Sequence, residues 1–145
     1  MTTSIDDLMP DVRTKAWAFV VALKLKGIPH VVTSTLRTTD EQVALYAQGR
    51  QALAEVNTLR ARANMHAIGP SENGYTVTNC DGIVHKSNHQ GGRALDIVPM
   101  NHMGYAIWPS STDPRWLQIA TEGEAVGFSW GGRWKAPDLP HYEMA

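Results

Sequence analysis

Apolar positions along the first stretch of the chain repeat at helical spacing. Leu8, Val12, Ala16, Phe19, Val20 and Leu23 share one face, which predicts a helix over 6–27 with Gly27 as its stop. The pattern then changes period. His30 to Leu36 is short and β-branched (Val31, Val32, Thr33, Thr35) and reads as a strand. Thr39 opens a second helix. Thr39 with Gln42, or Thr38 with Glu41, fits a capping box, and Tyr46, Leu53, Val56 and Ala63 keep one side apolar to about Asn64. Gly49 interrupts that face. The stretch 67–79, with Gly69, Pro70, Ser71, Asn73 and Gly74, has loop chemistry and ends in a short strand at 75–78.

A strand is expected over 93–99, with 105–108 as its hairpin partner across a turn at 101–104. Asp113 and Pro114 mark the N-cap and first position of a third helix, which uses Trp116, Ile119, Ala120 and Val126 and stops at Gly127. A Gly- and Trp-rich connection at 128–134 leads to a last strand at 140–144. Helices come early and late, with antiparallel strands between and after. The expected class is α+β: about three helices packed on a small, mainly antiparallel sheet.

Composition narrows the function. The 145 residues suit one ordinary domain, and neither internal repeat nor low-complexity tract divides them. A net charge of −1, from 13 basic and 14 acidic residues, is no footprint for nucleic acid. No stretch reaches the ~18 apolar residues of a membrane span. One cysteine, Cys80, excludes a disulfide framework and a multi-cysteine zinc site. It reads as a small packed residue. The first seven residues carry two aspartates and no base, unlike a secretory signal, so synthesis in the cytoplasm is expected.

Asp96 stands out because it lies in the apolar run Ala94-Leu95-Asp96-Ile97-Val98. An enclosed carboxylate without a partner is costly. His89 lies seven residues earlier, across Gly91-Gly92. In the last strand His141 and Glu143 alternate onto one face. Two imidazoles and a carboxylate suit zinc with a fourth position left for water. Asp138, three residues before His141, is the candidate base. The residues alone leave alternatives: Asp96 paired with Arg93 or Arg37, Asp138 as plain turn chemistry, and Glu143 as an orienting partner or simply exposed. Trp17 and Trp116 read as core, and Trp130 and Trp134 as core or cleft. His30, His66, His85 and His102 fit no motif.

The segment Ser87-Asn88-His89-Gln90-Gly91-Gly92-Arg93-Ala94-Leu95-Asp96 fits S-x-H-x-x-G-x-A-x-D, and Asp138-Leu139-Pro140-His141 fits [DE]-x-x-H. Together they resemble the zinc D-alanyl-D-alanine carboxypeptidase family, which includes the vancomycin-resistance carboxypeptidases. The nearer resemblance is to its phage branch, the L-alanyl-D-glutamate endopeptidases that act as endolysins. Thr33 to Thr38, Glu41-Gln42, Leu45 to Arg50 and Gly127 to Trp134 resemble further segments of that branch, in the same order. The resemblance implies zinc on His89, Asp96 and His141, and Asp138 as general base. It implies that Arg37 stabilises charge on the substrate carbonyl, with Ser87, Gln42 and Trp130 at the substrate. The implied partner is the peptidoglycan stem peptide, reached in the periplasm from the host cytoplasm through a phage pore, or holin, by a monomer. The chain is then a single catalytic domain over 1–145, with no separate wall-binding domain. A D,D-carboxypeptidase and a non-catalytic, zinc-stabilised wall-binding module are the alternatives. One departure is an insertion of about 25 residues at 51–75, read as an extended surface helix and loop rather than a flap.

Overall fold

A computed structural model describes residues 1–145. The chain is α+β, with four α-helices and one four-stranded antiparallel sheet. It forms two compact units, one of Arg37–Gln90 with Met1 and the other of Thr2–Leu36 and Gly91–Ala145.

The second unit holds the sheet. A 3-10 turn at Ile5–Asp7 precedes helix α1, Pro10–Leu25, so the first predicted helix is divided before Pro10. Proline sits at the first helical position, where its missing N–H costs nothing. Val12, Ala16, Phe19 and Leu23 are buried. Trp17 lies one residue round from that stripe and is exposed, correcting its reading as core; its indole N–H donates to Asp6 Oδ1 at 3.1 Å. Strands β1 (His30–Ser34), β2 (Ala94–Pro99), β3 (Ser129–Trp130) and β4 (His141–Glu143) lie in the order β1-β2-β4-β3. The expected hairpin after β2 is reduced to one bridge, Met100 with Ala106. Helix α4, Pro114–Ala125, starts at Asp113, whose side chain accepts from Arg115 N as predicted.

Alternation sorts the strands. Leu95 and Ile97 of β2 and Tyr142 of β4 enter the core with Phe19 of α1 and Trp116, Ile119 and Ala120 of α4. Phe19 meets Tyr142 edge-on at 4.8 Å. A Cβ on Gly123 of α4 would lie 2.7 Å from the Phe19 ring, so the helix approaches this closely only with glycine. The opposite parity of β2 and β4 carries Asp96, His141 and Glu143.

The first unit holds the helix pair α2 (Thr39–Ala47) and α3 (Leu53–Arg62). One helix to Asn64 was expected. Gly49, at φ +78°, turns the chain between the two, and a Cβ there would lie 2.6 Å from the Tyr75 backbone. Thr38 and Glu41 form the capping box. The 51–75 stretch is α3 plus a 3-10 turn at Glu72–Gly74, and the strand expected at 75–78 is absent. This stretch is tied down by side chains. Asn57 exchanges two hydrogen bonds with Ile68, Gln48 donates to the Glu72 carbonyl, and Asn73 accepts from Gly49 N.

Candidate metal centre

Strand register brings Asp96 and His141 together. They are direct partners across β2 and β4. His141 Nδ1 lies 3.5 Å from Asp96 Oδ1, and His141 Nε2 donates to Glu143 Oε2 at 2.7 Å. The His141 ring thus turns one nitrogen toward Asp96 and spends the other on a carboxylate. A metal-binding histidine uses its second nitrogen in this way, fixing ring orientation and tautomer. His141 is buried, which alone would lower its pKa; its hydrogen bonds to the Asp96 and Glu143 carboxylates, with the charges of Asp96 and Asp138, outweigh burial and raise it above the usual value. Trp134 covers the imidazole, with ring centroids 5.0 Å apart.

The turn before His141 is held from three sides. Asp138 N donates to the Gly131 carbonyl at 2.9 Å, and His141 N donates to the Asp138 carbonyl at 3.2 Å. Trp130 Nε1 donates to the Leu139 carbonyl at 2.7 Å. Gly131 lies against Asp138 O and His141 Cβ, leaving no room for a side chain. Asp138 itself is exposed, and its charge acts on His141.

His89 sits in a tight turn and is 2% exposed. Ser87 Oγ accepts from His89 N at 3.2 Å, Gln90 N donates to the Ser87 carbonyl at 3.0 Å, and Gln90 Oε1 accepts from Ser87 N at 2.9 Å. The Ser-x-His-x spacing therefore builds the turn that presents the imidazole. Arg37 N donates to the His89 carbonyl at 3.1 Å, so Arg37 leaves the chain beside the histidine. Its Nη1 donates to Gln42 Oε1 at 2.8 Å.

His89, Asp96 and His141 each offer a ligand atom, and these atoms all lie within 4.8 Å of one another. Two imidazoles and one carboxylate match the donors zinc takes at ~2 Å, and three protein ligands leave a position for water. The buried His141, held by a carboxylate on its far nitrogen, meets the further requirement that the ligand ring be oriented. The residues present fit zinc.

Of the other expected site residues, Gln42 is completely buried and Trp130 nearly so, each with its polar atoms committed inside the fold. Sequence reasoning left Trp134 and Glu143 open and gave Gln90 no role. Glu143, one strand step from His141, and Gln90, next to His89, carry a signal in those positions; Trp134 reaches His141 through the fold and its place in the sequence carries none.

An α+β fold with a His-Asp-His donor set on neighbouring strands and a turn defines a zinc metallopeptidase class. A family model described as D-alanyl-D-alanine carboxypeptidase, of the peptidase M15 type, matches residues 82–144. The peptidoglycan L-alanyl-D-glutamate endopeptidase CwlK of Bacillus subtilis (strain 168) is 32% identical over 95% of this chain and 74% of its own length. The chain belongs to the M15 peptidase family. The crystal structure of the Serratia marcescens L-Ala D-Glu endopeptidase ChiX shares the fold at a TM-score of 0.58 and 20% identity, over 97% of this chain and 83% of that one. A vancomycin-resistance D,D-pentapeptidase, VanY, solved with Zn(II), shares it at 0.56 and 16% identity, over 94% of this chain and 71% of that one.

Proposed function

We propose that the chain is a zinc-dependent peptidoglycan endopeptidase that hydrolyses the L-alanyl-D-glutamate bond of the stem peptide, working as a phage endolysin that lyses the host. The observation that carries the activity is the 32% identity to CwlK across 95% of the chain, joined to a donor set that fits zinc. Support for the endolysin role is the ordered likeness of the motifs at 33–50, 87–96 and 127–141 to the phage branch. Release to the wall through a holin follows from that role.

His89, Asp96 and His141 would hold one zinc ion. Bound there, zinc lowers the pKa of a water and polarises the substrate carbonyl. Asp138 takes the proton from the attacking water and returns it to the leaving amine. Its place at the tip of a pinned turn, with its charge reaching His141, suits that role. Arg37 stabilises the negative charge that develops on the carbonyl oxygen. Ser87 holds the His89 turn, Gln42 holds Arg37 and Trp130 holds Leu139, so these three serve the substrate site through the groups they fix. Trp134, 40% exposed beside His141, is the aromatic available to a bound peptide.

A second reading, removal of terminal D-Ala, is favoured by the description of the family model that matches 82–144. Mass spectrometry of digested peptidoglycan separates the two. New L-Ala carboxyl and D-Glu amino ends, lost on chelation and restored by zinc, support the endopeptidase; release of D-Ala moves the chain to the carboxypeptidases. The variant Asp138→Ala is expected to keep its fold and zinc and to lose activity by about a hundredfold or more. Full activity in that variant would remove Asp138 from the mechanism.

A further inference from the structure

Gln42 is 0% exposed, yet its side chain makes three hydrogen bonds. Its Oε1 accepts from Arg37 Nη1 at 2.8 Å. Its Nε2 donates to the Cys80 carbonyl at 2.7 Å and to Thr78 Oγ1 at 3.1 Å. The orientation of this amide has one solution. A guanidinium only donates and a peptide carbonyl only accepts, so the oxygen must face Arg37 and the nitrogen Cys80. The second N–H then needs its own acceptor, because a buried donor without one is costly. Thr78 Oγ1 supplies it. That oxygen is itself placed by Cys80 N, which donates to it at 3.2 Å. The remaining acceptor on this end of the amide is backbone, so Thr78 is the side chain by which the sequence specifies the clamp.

We propose that Thr78 is a positioning residue for the reaction, holding the Gln42 amide so that it fixes the Arg37 guanidinium. The proposal rests on the role given to Arg37 above. Thr78 does not reach the substrate. Without its hydroxyl one amide N–H loses its acceptor and the nitrogen end is held by the Cys80 carbonyl alone, so Oε1 is less tightly placed against the guanidinium. Misplacement of a charge-stabilising group by a fraction of an ångström acts on the transition state more than on ground-state binding.

The test uses the zinc-loaded chain and a purified stem tetrapeptide. Thr78→Val keeps the shape and removes the acceptor; it is expected to lower kcat about tenfold or more with little change in KM and with zinc content unaltered. Thr78→Ser restores the acceptor and is expected to recover most of that loss. In an Arg37→Ala background, Thr78→Val should cost nothing further, because the two act in one chain of contacts. Additive losses, or a serine variant as poor as valine, would overturn the proposal. Arg37→Ala with wild-type kcat would instead overturn the role of Arg37, and the proposal with it.

A readout free of activity is the side-chain NMR of ¹⁵N-arginine-labelled protein, with Arg37 assigned by its loss in Arg37→Lys. Slow rotation of the Arg37 Nη groups is expected in wild type and Thr78→Ser, and averaging in Thr78→Val. Rotation in wild type as fast as that of the exposed Arg62 would overturn the clamp even if the valine variant failed to fold.

Discussion

Glu143 is not one of the three metal-donor residues, yet its removal should weaken metal binding. Its Oε2 accepts from His141 Nε2 at 2.7 Å, the length of a charge-assisted hydrogen bond. The Glu143 side chain is 26% exposed, so solvent screens the pair only in part. Loss of such a partner costs a ligand 10- to 100-fold in metal affinity as a rule, or about 1.4–2.7 kcal/mol. Glu143→Gln keeps an acceptor and loses the charge, so it belongs near the lower figure, about tenfold. Glu143→Ala loses both and belongs near the upper one. Zinc affinity measured by competition with a chromophoric chelator near neutral pH reads both values, and far-ultraviolet circular dichroism checks the fold. Affinities for both variants within twofold of wild type would refute the reasoning, since the carboxylate would then be doing nothing for the imidazole. Equal losses in the two variants would show that the charge matters and that a neutral hydrogen bond in its place adds nothing.

Other outcomes follow from the same contacts. In the chelated protein the raised His141 pKa makes the pair with Glu143 and Asp96 a stabilising feature that is complete below the unfolded value of about 6.5 and fades as pH rises through the raised folded value. The unfolding midpoint of wild type should therefore exceed that of Glu143→Gln most at about pH 5.5, and the gap should narrow toward alkaline pH; a widening gap would contradict it. Gly49→Ala places a non-glycine residue at φ +78° and a Cβ 2.6 Å from the Tyr75 backbone. Strain and clash together should cost about 3 kcal/mol or more in denaturant unfolding, and a loss below about 1 kcal/mol would show that the α2–α3 connection relaxes. The Tyr142 hydroxyl is buried without a hydrogen-bond partner, and burial pushes its pKa far up. Tyr142→Phe should then stabilise the protein by about 1 kcal/mol, seen as a rise of a few degrees in the melting temperature. A fall would mean that the hydroxyl finds a partner in solution.

Much of the fold was legible because local chemistry and tertiary demand agree in most elements. The stripe of Val12, Ala16, Phe19 and Leu23 marks α1, and Asp113-Pro114 marks the start of α4. Misreadings came where a backbone constraint outweighed side-chain pattern. Pro10 restarts a helix whose apolar spacing runs on through it, and Gly49 folds a continuous-looking helix back on itself because Tyr75 packs where a side chain would be. Trp17 shows the limit of composition: a large apolar residue one position off the buried stripe faces outward.

The donor set is a matter of sequence. Asp96 in an apolar run, His141 and Glu143 at strand spacing, and the Ser-x-His turn are visible in one dimension because period and turn chemistry are local. Which atoms meet is decided elsewhere. The β2–β4 register sets Asp96 opposite His141, and a slip of one residue would have turned one of them into the core. The sequence likewise names Gln42 and Trp130 without saying that one ends wholly buried against Arg37 and the other beneath Leu139. Hydrogen-bond partners 36 and 38 residues apart, as Gln42 has in Thr78 and Cys80, follow from how distant segments pack, and no local pattern encodes that.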